Sequence, residues 1–148
     1  MATGDVTLFE EFAAEIGSEV HNLGSDTLKV GLIDNSTAPT AADATPRWAL
    51  YVGNEVSADG NYTANGETLS NVDWSEAGGV STLDADNVSL AQDGSGFDNA
   101  YWAIVYNDTA TNDEAICFVE LGGPVSEQAG PVAINWNDSG IFTLTANP

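Results

Sequence analysis

Hydrophobic positions in the first part of the chain recur at helical spacing. Between residues 7 and 23 they fall three or four residues apart and form one apolar stripe, which consists of Leu8, Phe9, Phe12, Ile16, Val20 and Leu23. Thr7 followed by Glu10 has the pattern of a capping box, and Gly24 stands where a C-terminal cap is common. The pattern predicts one N-terminal helix over residues 7–23.

After Gly24 the hydrophobic period shortens to two, which is typical of β-strands. Clusters of Gly, Asn, Asp and Pro separate the apolar stretches. The predicted strands lie at residues 27–34, 48–52, 69–74, 80–90 (one long strand or two short ones), 97–106, 115–121, 132–136 and 141–144. Residues 97–106 and 115–121 are apolar on both faces, which favours two central strands joined as a hairpin. The last two strands are predicted to pair through a turn at 137–140.

Seven to nine short strands with frequent turns predict a mainly all-β fold. We expect one domain over residues 1–148, with an antiparallel β-sandwich at about 26–146 preceded by the helix. The sandwich is either jelly-roll-like or immunoglobulin-like, because the sequence does not specify the strand order. A chain of 148 residues is long enough for one real core.

Charge is the most unusual feature of the composition. Twenty-three Asp and Glu residues face only Lys29 and Arg47, which gives a formal net charge of -21. Such self-repulsion destabilises a compact state in dilute buffer, whereas molar salt shortens the Debye length to about 3 Å. The chain is nevertheless 43% hydrophobic, unlike disordered acidic chains. The composition therefore predicts a folded protein adapted to high salt.

Catalytic side chains are scarce. The single histidine, His21, is expected to be a helix-end residue, and the single cysteine, Cys117, a buried thiol. Carboxylate pairs are expected by chance among so many acids, and the acidic stretches 84–87 and 107–114 do not follow the calcium-loop pattern. We predict no enzyme activity, no metal and no cofactor.

The same features restrict the partners. With two cations the chain is not expected to bind nucleic acid, and it has neither a membrane-length apolar run nor the features of a signal peptide. We therefore expect a soluble protein made in the cytoplasm. The four tryptophans, Trp48, Trp74, Trp102 and Trp136, fit core packing better than a sugar-stacking platform.

The chain resembles a family of small virion structural proteins of the head decoration or cement type, encoded in the head-assembly regions of tailed phages and tailed archaeal viruses. The resemblance covers nearly the whole chain and rests on the order of its landmarks, not on one fingerprint. These are residues 9–12 (FEEF), 21–30 (HNLGSDTLKV), 37–40 (TAPT), 54–57 (NEVS), 60–63 (GNYT), 83–86 (LDAD), 100–108 (AYWAIVYND) and 136–141 (WNDSGI).

The resemblance implies a β-sandwich on the outside of a virion, where it binds and stabilises the shell of the major capsid protein. Its partners would be that protein and further copies of itself, with a trimer favoured. We expect the helix to supply the interface through Leu8, Phe9, Phe12 and Ile16, unless it only covers a sheet of its own domain. The alternatives are a tail, fibre or head-spike component for host attachment, and a carbohydrate-binding module.

Overall fold

The structure is a computed structural model that describes residues 4–146. Its fold is mainly β, with antiparallel sheets, as the sequence predicts. The elements in chain order are β1 (Val6–Leu8), α1 (Phe12–Gly17), β2 (Leu28–Ile33), α2 (Trp48–Tyr51), a 3-10 turn (Val52–Asn54), β3 (Glu67–Thr68), β4 (Asp73–Ala77), β5 (Val80–Asp84), β6 (Val88–Leu90), β7 (Ala100–Asn107), β8 (Ala115–Val125), β9 (Val132–Ile134) and β10 (Phe142–Thr145).

The largest sheet has five strands in the order β1-β8-β7-β2-β3. β7 and β8 pair antiparallel next to each other in its middle, which confirms the predicted central hairpin. β2 confirms the first predicted strand. Leu28, Val30 and Leu32 belong to one buried cluster and Ile33 to the other, so the strand is buried on both faces. Burial on both faces explains the continuous apolar runs of β7 and β8.

Two smaller sheets supply the packing for one face of this sheet. They have the orders β10-β5-β4 and β6-β9. Leu83 of β5 and Leu90 of β6 belong to the same buried cluster as Val30 and Val105. The opposite face is covered by a second cluster of buried residues, which comprises Phe9, Ile33, Trp48, Tyr51, Ile104, Tyr106, Ala115 and Phe118. The 80–90 region therefore forms two short strands, one in each small sheet.

The N-terminal helix is much shorter than predicted. Residues Val6–Leu8 form a strand that pairs with β8, and α1 has six residues and ends at Gly17. Thr7 lies in that strand, so the predicted capping box does not form. Apolar residues at spacings of three and four fit a strand, a turn and a short helix as well as one long helix. Pairing with β8 decides between them, because tertiary contacts override local propensity.

Three predictions about strands are wrong. The strand predicted at 69–74 lies instead at Asp73–Ala77, as β4, and overlaps the prediction only at Asp73 and Trp74. The 48–52 segment forms α2 and the 3-10 turn, with Trp48 and Tyr51 buried and Leu50 exposed between them. The last two strands do not pair with each other, because β9 pairs with β6 and β10 pairs with β5. The turn at 137–140 does form, with a bridge between Asn137 and Gly140, but it connects two sheets. Alternation of apolar residues thus did not guarantee a strand at 48–52, and it does not specify which strand is the neighbour.

Candidate functional site

The four residues predicted as an interface lie in or against the core of the domain. Phe9 and Phe12 are each only 1% exposed, and Leu8 and Ile16 are partly buried against the same core. The Phe9 ring lies 5.0 Å from the ring of Phe118. The structure thus agrees with the alternative in which this segment covers its own sheets. The reason is that β1 and α1 supply apolar side chains to one cluster and Phe9, which lies between them, belongs to the other, so the rings of Phe9 and Phe12 are not accessible for docking.

The exposed large hydrophobic side chains of residues 4–146 are Leu50 and Val52, which are 49% and 38% exposed. Both lie in the segment formed by α2 and the 3-10 turn. We call this pair the Leu50/Val52 knob. The sequence pattern assigned both residues to a strand, so it did not distinguish their exposed side chains from the buried ones beside them.

Trp48 holds one end of this segment to the sheet. Its ring stacks on Tyr106 with a centroid distance of 5.1 Å and an angle of 4° between the planes. Its backbone N–H donates to the Asp113 carbonyl oxygen at 2.9 Å. Gly31 makes room for the ring, because a Cβ atom at that position would overlap the indole. The contacts of the buried Trp48 side chain and backbone therefore hold in place the segment that carries Leu50 and Val52.

Tyr51 holds the same segment from another direction. Its hydroxyl donates to Asp43 Oδ2 at 2.8 Å, and Thr40 donates to Asp43 Oδ1 at 2.6 Å. Burial, together with the neighbouring Asp43 carboxylate, raises the pKa of Tyr51. Burial also raises the pKa of Asp43, but the hydrogen bonds from Thr40 and Tyr51 outweigh this effect and lower it overall. The backbone that carries the knob is thus held by two buried aromatic side chains, so a partner that bound there would order little additional structure.

A cleft of about 670 Å³ lies elsewhere on the surface, where β1 and β8 approach the chain between β9 and β10. We call it the Trp136 cleft. It is lined by residues 4–6, 119–121, 133–137 and 139–143. Val6, Leu121 and Phe142 contribute partly exposed apolar side chains, whereas Asp5 and Glu120 contribute carboxylates. The sequence gives no sign of this cleft, because it depends on the unpredicted separation of β9 and β10.

His21 lies beyond the helix, with its side chain fully buried, and not at a helix end as predicted. Asn107 orients it: the Asn107 oxygen accepts from the N–H groups of Thr109 and Ala110, so its amide donates to His21 Nδ1 at 3.1 Å. His21 Nε2 then donates to Glu15 Oε2 at 3.2 Å. Burial raises the pKa of Glu15 despite this bond. Both ring nitrogens of His21 are therefore engaged in holding structure together.

The other polar groups singled out from the sequence also have structural surroundings. Cys117 is fully buried, as predicted, and burial raises the pKa of its thiol. In the acidic stretch 84–87, the Asn87 side chain accepts from the Trp136 backbone N–H at 2.8 Å. Over residues 4–146, no group of three or more His, Cys, Asp or Glu side chains has an arrangement suited to a metal ion.

Glu127 is a buried carboxylate that the sequence did not reveal. It is fully buried, and its Oε1 accepts from the Asn61 backbone N–H at 2.6 Å. Gly60 and Gly96 pack against the carboxylate, where any side chain would collide with it. Glu127 therefore ties together the loops around residues 60, 96 and 127.

The tryptophans do not form an exposed row. Trp48 and Trp136 are buried, and Trp74 and Trp102 pack partly buried against the two clusters. The indole N–H of Trp136 donates to the Asp86 carbonyl oxygen at 3.1 Å. This arrangement agrees with the predicted role in core packing.

No protein-family model, curated protein or solved structure matches the chain. Within the described residues, no helix is long and apolar enough to cross a membrane.

Proposed function

We propose that the chain is a virion structural protein of the capsid decoration type. It binds the outside of a major capsid protein shell as a small homo-oligomer, with a trimer favoured, and stabilises that shell at high salt. The Leu50/Val52 knob is the observation that carries this proposal, because two exposed apolar side chains on one helical segment of an acidic protein suit adhesion. The inference that the larger assembly is a virion rests on the family resemblance.

We further propose that the fold is a β-sandwich. One layer is the five-stranded sheet, and the two smaller sheets form the other layer. The shared buried cluster supports this arrangement, since Leu83, Leu90 and Val132 from the small sheets pack with Val30 and Val105 of the large one. Such a rigid two-layer frame suits a protein whose task is to adhere.

The chemistry of the buried groups supports a protein that is not an enzyme. The His21 ring is held on both nitrogens, and the Cys117 thiol lies inside the core with a raised pKa. A general base or thiol nucleophile needs access to a substrate and a suitable pKa. Neither group has that access here.

The alternatives differ from the decoration proposal in what they require. A tail, fibre or spike component would have the same architecture at a lower copy number per particle. A carbohydrate-binding module would need aromatic faces open to solvent, and Trp136 is only 8% exposed.

The direct test adds the protein back to virus particles that lack it, at molar KCl. We expect near-saturating binding of the unaltered chain, and at least about a tenfold loss of occupancy for Leu50→Glu or Val52→Glu, because a carboxylate would enter an apolar interface. Ala58→Glu, at another exposed position, is the matched control and should bind like the unaltered chain. Equal binding of all variants would reject the Leu50/Val52 knob as the contact with the shell. If the unaltered chain does not bind, the decoration role is rejected.

A further inference from the structure

The Trp136 cleft has the dimensions of a peptide site. Its volume of about 670 Å³ is sufficient for a few residues of extended chain. Along 132–137 alternate residues are buried, so that Val132, Ile134 and Trp136 point inward while Ala133 and Asn135 are exposed. One side of the cleft is therefore a strand-like stretch of backbone above an apolar base.

β9 strengthens this interpretation. Among the described strands it has one hydrogen-bonded neighbour, β6, through the pairs Val88 with Ile134 and Leu90 with Val132. A strand with one neighbour offers its other edge to a further extended segment. Addition of a strand at an open edge is a common way to bind a peptide. Main-chain hydrogen bonds supply the affinity, and they form whatever side chains the peptide carries.

Charge determines which peptide fits. The charged side chains that line the cleft are Asp5 and Glu120, and neither of the two cations of the chain lines it. Lys29 lies elsewhere, in an ion pair with Asp108 at 3.1 Å, and Arg47 forms a backbone bridge with Glu114. A second copy of this acidic chain is therefore a poor occupant, whereas Lys or Arg on a different protein would complement both carboxylates.

We propose that the Trp136 cleft binds an extended segment of a different protein, with Lys or Arg residues placed between apolar ones. This inference rests on the proposed function in naming that protein as the shell protein. The apolar side chains of the segment lie on Val6 and Phe142, which are only partly buried, and its cations reach Asp5 and Glu120. The cleft and the knob would then act as two contacts of one docking surface or of two neighbouring shell subunits.

The probe for this site is the peptide acetyl-Val-Lys-Val-Lys-Val-amide, compared with its Glu counterpart in molar KCl. Molar salt screens diffuse attraction to the acidic surface, so the remaining binding reports direct contact. We expect the Lys peptide, and not the Glu peptide, to shift the NMR signals of Ala133, Asn135 and the Trp136 indole N–H. Shifts confined to other regions, or equal binding of both peptides, would overturn the proposal.

Matched variants distinguish direct contact in the Trp136 cleft from general attraction to the acidic surface. Glu120→Gln keeps the shape of a residue in the cleft and should weaken the Lys peptide about fivefold, whereas Asp98→Asn removes an exposed carboxylate outside it and should change affinity less than twofold. Ala133→Trp fills the cleft at an exposed position and should abolish binding. Equal weakening by Glu120→Gln and Asp98→Asn would contradict the proposal, as would unaffected binding in Ala133→Trp.

Particle binding distinguishes this inference from the proposed function. If Ala133→Trp binds particles like the unaltered chain while Leu50→Glu does not, the cleft proposal fails and the decoration role stands. If the unaltered chain binds the Lys peptide and never binds particles, the decoration role fails and the cleft remains a peptide site. Competition for the cleft by a second copy of the chain, measured by sedimentation, would also overturn the choice of occupant.

Discussion

At the scale of single residues, Asn107 has the most demanding position. It is fully buried at the end of β7 and donates to both His21 and Asp26, while its oxygen accepts two backbone N–H groups. All the hydrogen-bonding capacity of its amide is thus used. Removing it leaves buried partners without hydrogen bonds, which costs more than the bonds themselves contribute.

Asn107→Ala should therefore lower the free energy of unfolding by about 3 kcal/mol. Chemical denaturation at molar KCl measures this change, and Asn99→Ala, at an exposed asparagine in the segment before β7, is the control with an expected change below about 0.5 kcal/mol. Similar stabilities of the two variants would show that the Asn107 network does not hold the 18–26 segment in place.

Asp43 gives a prediction about pH. Because the folded state lowers its pKa, the ionised carboxylate stabilises the fold above the pKa of the unfolded chain, and this contribution disappears as the pH falls through the folded pKa. Asp43→Asn should cost about 1 kcal/mol at pH 7, after allowance for solvent screening. The difference from the unaltered chain should shrink below about pH 4. Melting temperatures measured across pH at fixed salt test this, and a constant difference would contradict it.

At the scale of elements, α2 depends on a glycine in the neighbouring sheet. Gly31 of β2 lets the Trp48 ring lie directly on the backbone and stack on Tyr106. A methyl group at position 31 would displace the ring and with it the segment that carries Leu50 and Val52. The position of the knob is therefore set by β2 as much as by the knob's own sequence.

Gly31→Ala should destabilise the protein by about 2–3 kcal/mol through overpacking. Gly53→Ala is the control, because no atom lies within 4 Å of the added Cβ, and it should change stability by less than about 0.5 kcal/mol. Combined with Trp48→Leu, the cost of Gly31→Ala should fall well below its cost alone, since the clash partner is gone. Fully additive costs would show that the two sites are independent.

Elements buried on both faces were the easiest to predict from the sequence. β7 and β8 have long apolar runs, which fit few structures other than central strands, and β2 shows a regular alternation of apolar residues. Trp48, Leu50 and Val52 alternate like a strand, yet Gly31 and Tyr106 hold Trp48 in a short helix, a contact between distant residues that local spacing does not contain. The same holds for Phe9 and Phe12, whose spacing predicts an apolar stripe but not whether its partner is another protein or the chain's own sheets.

At the scale of the whole molecule, charge dominates. The formal net charge is -21, and within the described residues Lys29 forms an ion pair with Asp108 at 3.1 Å. Both apolar clusters favour the compact state, whereas mutual repulsion of the carboxylates opposes it. The balance between them depends on screening by salt.

Dilution from molar to tens of millimolar KCl should therefore unfold the chain cooperatively. Circular dichroism against salt concentration measures the midpoint. A variant with Asp98→Asn and Asp138→Asn, both exposed, should unfold at lower salt because it carries less repulsion. An unchanged spectrum and melting temperature over the whole range would contradict the salt adaptation.

The measurement that tests the central claim most directly is cryo-electron microscopy of the virion, purified at high salt. The decoration role predicts ordered copies of this chain on the outer surface, following the icosahedral lattice, with the Leu50/Val52 knob facing the shell. Density for the chain only in the tail or a spike, or its absence from the particle, would contradict that role.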